Sequence, residues 1–147
     1  MKNVFLINPI QYFDELCDMV RGIPDHYITN NYEQVKGMIR DNEVKKLCIV
    51  FGATNYSAGH IIDSIDGQKA SEEFHKINPE LHILIISGRS SIGGSENFYP
   101  VINKNEIYLE VDDYPNFPDI INQFFIAGLT HSDIPVRASI NRELSLF

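Results

Sequence analysis

Continuous apolar runs alternate along the chain with amphipathic stretches, and that alternation predicts the elements. Val4-Phe5-Leu6-Ile7 is apolar at every position and is closed by Asn8-Pro9. A strand without a polar face is one buried on both sides. Tyr12, Phe13, Leu16, Met19 and Val20 then recur at helical spacing, and Gly22 and Pro24 supply the stop. His26-Tyr27-Ile28-Thr29 is a weaker second strand. Asn30-Asn31 predicts the cap of a helix whose apolar face is Val35, Met38 and Ile39. Lys45-Lys46 leads into a third strand, Leu47 to Phe51, that stops at Gly52.

The second half repeats the alternation. Asp66-Gly67 opens a helix with Ala70, Phe74 and Ile77 as its stripe and with Glu72, Glu73, His75 and Lys76 expected outward. Asn78-Pro79 ends it. His82 to Ile86 is the fourth strand and the most apolar segment of the chain; it terminates at Ser87-Gly88. Residues 89–105 are rich in Gly, Ser and Asn. Gly93-Gly94 and Pro100 argue against a full helix there, in spite of the apolar island Phe98 to Ile102. Ile107 to Val111 is a fifth strand. Pro115 and Pro118 open a last helix with Phe117, Ile120, Ile121, Phe124 and Phe125 on its face, which Gly128 ends or breaks. Ile140, Leu144 and Phe147 are spaced as on a short amphipathic helix.

Strands alternating with helices imply an α/β protein with a parallel sheet covered on both faces. Right-handed crossovers then favour a flavodoxin-like, doubly wound five-stranded parallel sheet of order 2-1-3-4-5, here with its fourth helix short or missing. In that order the ends of the first, third and fourth strands converge on one crevice. Residues 1–128 are expected to form the domain, and residues 129–147 a tail, a linker or a dimerisation element.

Composition narrows the functional classes. A length of 147 residues suits one domain with one core, and a net charge of −8 argues against non-specific nucleic-acid binding, which needs basic surface. Cys17 and Cys48 lie in apolar patterns, at no zinc or disulfide spacing, and are read as buried thiols. No stretch approaches the ~20 apolar residues of a membrane span, and the first apolar run is too short for a secretory signal. The expected location is the cytoplasm, with neither membrane nor nucleic acid as a partner.

The stretch "DGQKASEEFHKINPELHILIISG", from Asp66 to Gly88, resembles the third helix and fourth strand of a response-regulator receiver domain. The stretch "NEIYLEVDDYPNFPDIINQFF" resembles that family's fifth strand and last helix. In element order the likeness spans residues 2–128. It implies a phosphoryl-accepting aspartate after the third strand, an acidic magnesium-binding pair after the first, a hydroxyl after the fourth and a lysine after the fifth. A metal and fixed cations offset the charge that develops in phosphoryl transfer.

Three of those four parts are replaced. The acidic pair's place reads Asn8-Pro9, the acceptor's reads Phe51 or Gly52, and the lysine's reads Val111 with Glu110 and Asp112 beside it. Only the hydroxyl is kept, as Ser87. The chain thus resembles a degenerate receiver, a pseudo-receiver, whose fold outlasts its phosphorelay chemistry. The expectation is a signalling domain that is not an enzyme and needs no cofactor or metal. It would act through a protein partner, with a second copy joined through the fifth-strand and last-helix face as one form. Ser87 and Tyr108 are its switch or interaction residues, although a strand-ending Ser-Gly is ordinary turn chemistry and a strand aromatic is as often packing.

A second class of function rests on the two polar loops, 52–67 and 88–105, which border one crevice and suit a small-molecule or nucleotide site. "GRSSIGGSEN", from Gly88 to Asn97, can wrap an anion with backbone N–H groups but lacks the phosphate-loop pattern. His60, Asp63 and Asp66 match no metal motif, and nothing pairs them with a nucleophile.

Overall fold

The computed structural model describes residues 1–8, 13–52, 67–88, 97–99, 103–111 and 118–133. In chain order the elements are β1 (Lys2–Ile7), α1 (Phe13–Val20), β2 (His26–Thr29), α2 (Tyr32–Arg40), β3 (Val44–Gly52), α3 (Gly67–Ile77), β4 (Ile83–Gly88), β5 (Asn97–Tyr99), β6 (Glu106–Val111) and α4 (Pro118–Phe125), followed by a 3-10 turn at His131–Asp133. The sheet order is β2-β1-β3-β4-β6-β5. The first five strands in that order are parallel, which is the flavodoxin-like 2-1-3-4-5 arrangement with helices between strands.

The sixth strand was not expected. β5 runs antiparallel to β6, with Asn97 opposite Glu110 and Tyr99 opposite Tyr108. It overlaps the start of the apolar island Phe98 to Ile102, in the segment where Gly93-Gly94 and Pro100 argue against a full helix. Proline cannot donate to a ladder, so it suits the place where an edge strand stops. Among the described residues, no helix lies between β4 and β6.

Alternation along the strands divides the core in two. Phe5, Ile7, Cys48, Val50, Leu84 and Ile86 face α1 and α4. Val4, Leu6, Leu47, Ile49, Ile83 and Ile85 face α2 and α3. Burial on both sides explains the uninterrupted apolar runs. The expected helix stripes are the buried ones: Leu16 and Val20 on α1, Val35 and Ile39 on α2, Ala70 and Phe74 on α3, Ile121 and Phe124 on α4.

Local chemistry sets the helix ends. The Asn31 side chain accepts from the Gln34 N–H at 3.0 Å and so starts α2. At the other end Asn42 takes a φ of 59°. The N–H of Asn42 reaches the Ile39 carbonyl at 3.0 Å, and that of Glu43 reaches the Met38 carbonyl at 2.9 Å. Those two bonds make a Schellman ending. Pro118 opens α4, where a missing N–H costs nothing. Past its end Gly128 adopts a φ of 75°, and Leu129 packs on the α1/α4 core, so the chain stays on the domain beyond residue 128.

Two expectations are corrected. His75, expected outward, is buried and hydrogen-bonded through Nε2 to the Leu81 carbonyl at 2.8 Å. The turn between α3 and β4 folds back over the last turn of the helix and covers it. Lys45 and Lys46, expected to precede the third strand, lie inside β3. Lys46 sits over the Phe124 ring, 5.3 Å from Nζ to the ring centroid and so within the reach of about 6 Å of a cation–π contact. Its Nζ donates to the Phe124 carbonyl at 2.7 Å, satisfying a carbonyl in the last turn of α4.

Candidate functional site

The register of four parallel strands lays out the candidate site. Ile7 pairs with Val50, and the Asn8 N–H donates to the Val50 carbonyl at 3.0 Å. Phe51 pairs with Ser87, and Ser87 with Glu110. Asn8, Phe51, Ser87 and position 110 therefore form one row across the carboxyl rim of the sheet. Gly52, Gly88 and Val111 are level with one another one step further along. The structure thus brings Asn8, Phe51 and Ser87 together, and the strand residue level with them on β6 is Glu110, with Val111 beyond. Pro9 lies outside the described residues, as do His60, Asp63, Asp66, Asp112 and most of the two polar loops.

Phe51 dominates this rim. Its ring is half-buried and packs edge-on against Tyr108, with centroids 6.3 Å apart and planes at 85°. It also lies over Gly67, the first residue of α3. A Cβ on Gly67 would collide with Cδ1 and Cε1 of that ring and would come within 3.2 Å of Ile85 Cγ2. Glycine is what permits the close approach of helix and ring. Ser87, beside Phe51 in the row, is buried.

A cavity of about 20 Å³ adjoins Phe51, lined by Leu6, Asn8, Asn30, Tyr32, Ile49 and Ala70 as well. It occupies the switch point between β1 and β3, where ligands of open α/β sheets bind. It holds about one water, far below the several hundred Å³ of a drug-sized pocket. Among the described residues its lining carries no charge. Tyr32 is held by Phe74, at a centroid distance of 5.2 Å, and by Lys36 Nζ, 5.0 Å from its ring centroid. Burial, with Glu73 and Glu33 adding to it, pushes the Tyr32 phenol above its ordinary value, so it stays neutral at physiological pH. A more open groove of about 460 Å³ runs at the amino end of the sheet, with Lys2, Tyr27 and Met38 in its wall, away from the carboxyl ends of the strands.

The described residues contain no group of three or more His, Cys, Asp or Glu able to hold a metal ion. Nor do they contain a helix long and apolar enough to cross a membrane. Cys17 and Cys48 are buried free thiols, and burial pushes both above their ordinary value, Cys48 furthest.

Sequence reasoning gave no role to Ser71, Glu106 or Lys46. Ser71 and Glu106 are buried and hydrogen-bonded to each other at the amino end of the sheet. Each reads in sequence as an ordinary surface residue, and only the pairing of β6 with β4 brings them together. Tyr108 was singled out, and its contact with Phe51 joins it to the rim. Comparison with known proteins adds no relative to this geometry: no family model, no curated protein and no solved structure matches the chain.

Proposed function

We propose that the chain is a receiver-like regulatory domain that is not phosphorylated at the usual site and acts by binding a protein partner. The observation that carries this reading is the row Asn8, Phe51, Ser87 and Glu110 across the carboxyl rim. In a receiver this rim, counting the next step to Gly52 and Val111, supplies metal ligands, an acceptor, a hydroxyl and a cation. Here an amide and an aromatic ring replace the first two, and an acidic residue is level with the hydroxyl. A phosphoryl group entering this rim would meet apolar surface at Phe51 and no described cation in the cavity beside it. The partner-binding surface proposed is the face of β6 and α4, with a second copy of the chain as one occupant.

The direct test is incubation with a small phosphodonor and Mg²⁺, read by intact mass. No mass gain is expected. Stoichiometric, acid-labile phosphorylation overturns the reading.

One observation favours a second reading, a small-ligand domain of the same fold. The cavity between Tyr32 and Phe51 sits at the switch point, with the amides of Asn8 and Asn30 in its wall. Its small volume weighs against nucleotides and flavins. A thermal-shift screen with small polar ligands and with both classes separates the readings: a saturable shift lost on mutation of Asn30, in the cavity wall, favours the ligand.

A further inference from the structure

A carboxyl group is buried at the end of the sheet opposite the rim. Glu106, the first residue of β6, is 3% exposed, and Ser71, in the second turn of α3, is 0% exposed. The Ser71 hydroxyl donates to Glu106 Oε1. The ion pairs among the described residues are Arg21 with Asp18 and Lys76 with Glu73, both on the surface, so Glu106 has no cationic partner there. An isolated buried carboxylate costs several kcal/mol or else keeps its proton.

The groups around it sharpen the point. On α3, Glu72 lies close enough for its charge to oppose ionisation of Glu106. His75, one turn beyond Ser71, is engaged with the Leu81 carbonyl and is held below its ordinary value chiefly by burial. On β4 the cross-strand partner is apolar Ile83. Burial holds the Glu106 carboxyl above its ordinary value, with Glu72 acting in the same sense and the Ser71 hydroxyl against it.

The position of the pair gives it leverage. On the α2/α3 face β6 presents Glu106 and, two residues on, Tyr108, which packs on Phe51 above the start of α3. The helix is therefore tied to the β6 side twice, through the Ser71–Glu106 bond and through the Gly67–Phe51–Tyr108 stack. We propose that Glu106 is a proton-operated latch on α3: the neutral carboxyl lies buried beneath the helix with no cation among the described residues, and loss of its proton leaves a charge there whose need for water outweighs the stronger bond from Ser71 and loosens the seat of the helix on β6. Because the folded form binds the proton more tightly than the unfolded chain, this stabilisation is complete below the ordinary glutamate range. It is lost as pH rises through the folded value. The latch is independent of which partner the domain binds.

Amide hydrogen exchange of the full chain, compared at matched pH between the parent and Glu106→Gln, tests it. At pH near 5 the two should protect α3 alike. At pH near 8 the variant should protect α3 more than the parent, because only the parent then carries a charge at that buried position. A ratio that does not change with pH overturns the latch, as does a change of equal size in β1 and α3. In the parent, the Glu106 side-chain carbonyl followed by NMR should titrate above the range of exposed glutamates. Titration within or below that range overturns the proposal even if the variant fails to fold.

Discussion

The Phe51 ring covers the backbone of Gly67, so the end of the central strand and the start of α3 are in direct contact. The side chain at the end of the central strand is thereby held between Gly67 and Tyr108.

Gly67→Ala should destabilise the protein by about 1–3 kcal/mol, the usual cost of inserting a methyl where packing is complete. The added Cβ meets ring atoms of Phe51 and approaches Ile85. In a Phe51→Ala background the same substitution should cost much less, and the difference is the coupling between the two residues. Urea unfolding of the single and double variants measures it; equal costs in both backgrounds would separate the ring from the helix.

Lys46→Met keeps most of the aliphatic stem and removes the donor to the Phe124 carbonyl. A hydrogen bond from a charged donor contributes about 1.5–3 kcal/mol. The loss should appear in the denaturation midpoint and as faster amide exchange in the last turn of α4, with β1 amides changing only as far as global stability does.

His75 should make the protein sensitive to acid. Its imidazole is held below the ordinary value of 6.5 by burial, against the pull of the Leu81 carbonyl. The neutral ring is thus favoured in the folded state. The stability this confers is present above pH 6.5 and is lost as pH falls through the lower folded value. His75→Gln should flatten the acid limb of the thermal-stability profile. Part of the limb should persist through His82, which burial and Lys46 push in the same direction.

Asn42 should tolerate glycine and reject a branched residue. At a φ of 59°, Asn42→Val pays the left-handed penalty of about 1–2 kcal/mol, while Asn42→Gly leaves the Schellman ending intact. The melting temperatures of the two variants decide it.

The parallel strands were legible because a sheet covered on both faces leaves its mark as unbroken runs such as Ile83 to Ile86. The residues at the rim were legible for the same reason: a run that stops at Asn8, Gly52 or Ser87 marks a strand's end. β5 was not, because three residues paired on one side carry no periodicity. His75 was assigned to the wrong side because helical spacing shows which flank a residue occupies, and the turn that folds over that flank comes later in the chain. That Glu110 is level with Ser87 and Val111 with Gly88 was not legible, because register is fixed by pairing and a shift of one residue is invisible in a single strand. Glu106 and Ser71, 35 positions apart, meet only once β6 is seated beside β4.

The bond from Lys46 to Phe124 spans 78 positions of sequence, and Phe5 stacks on Phe125 at a centroid distance of 4.6 Å. The last helix closes a face whose floor is laid by the first strand. A chain emerging from the ribosome therefore carries Phe5, Cys48 and Leu84 covered in part, by α1, until the last helix follows. Contacts of such long sequence separation must wait for loop closure, which slows folding. The growing polypeptide stays aggregation-prone until α4 docks, and a truncation before Pro118 should leave a chain whose α1/α4 face is only partly covered, by α1.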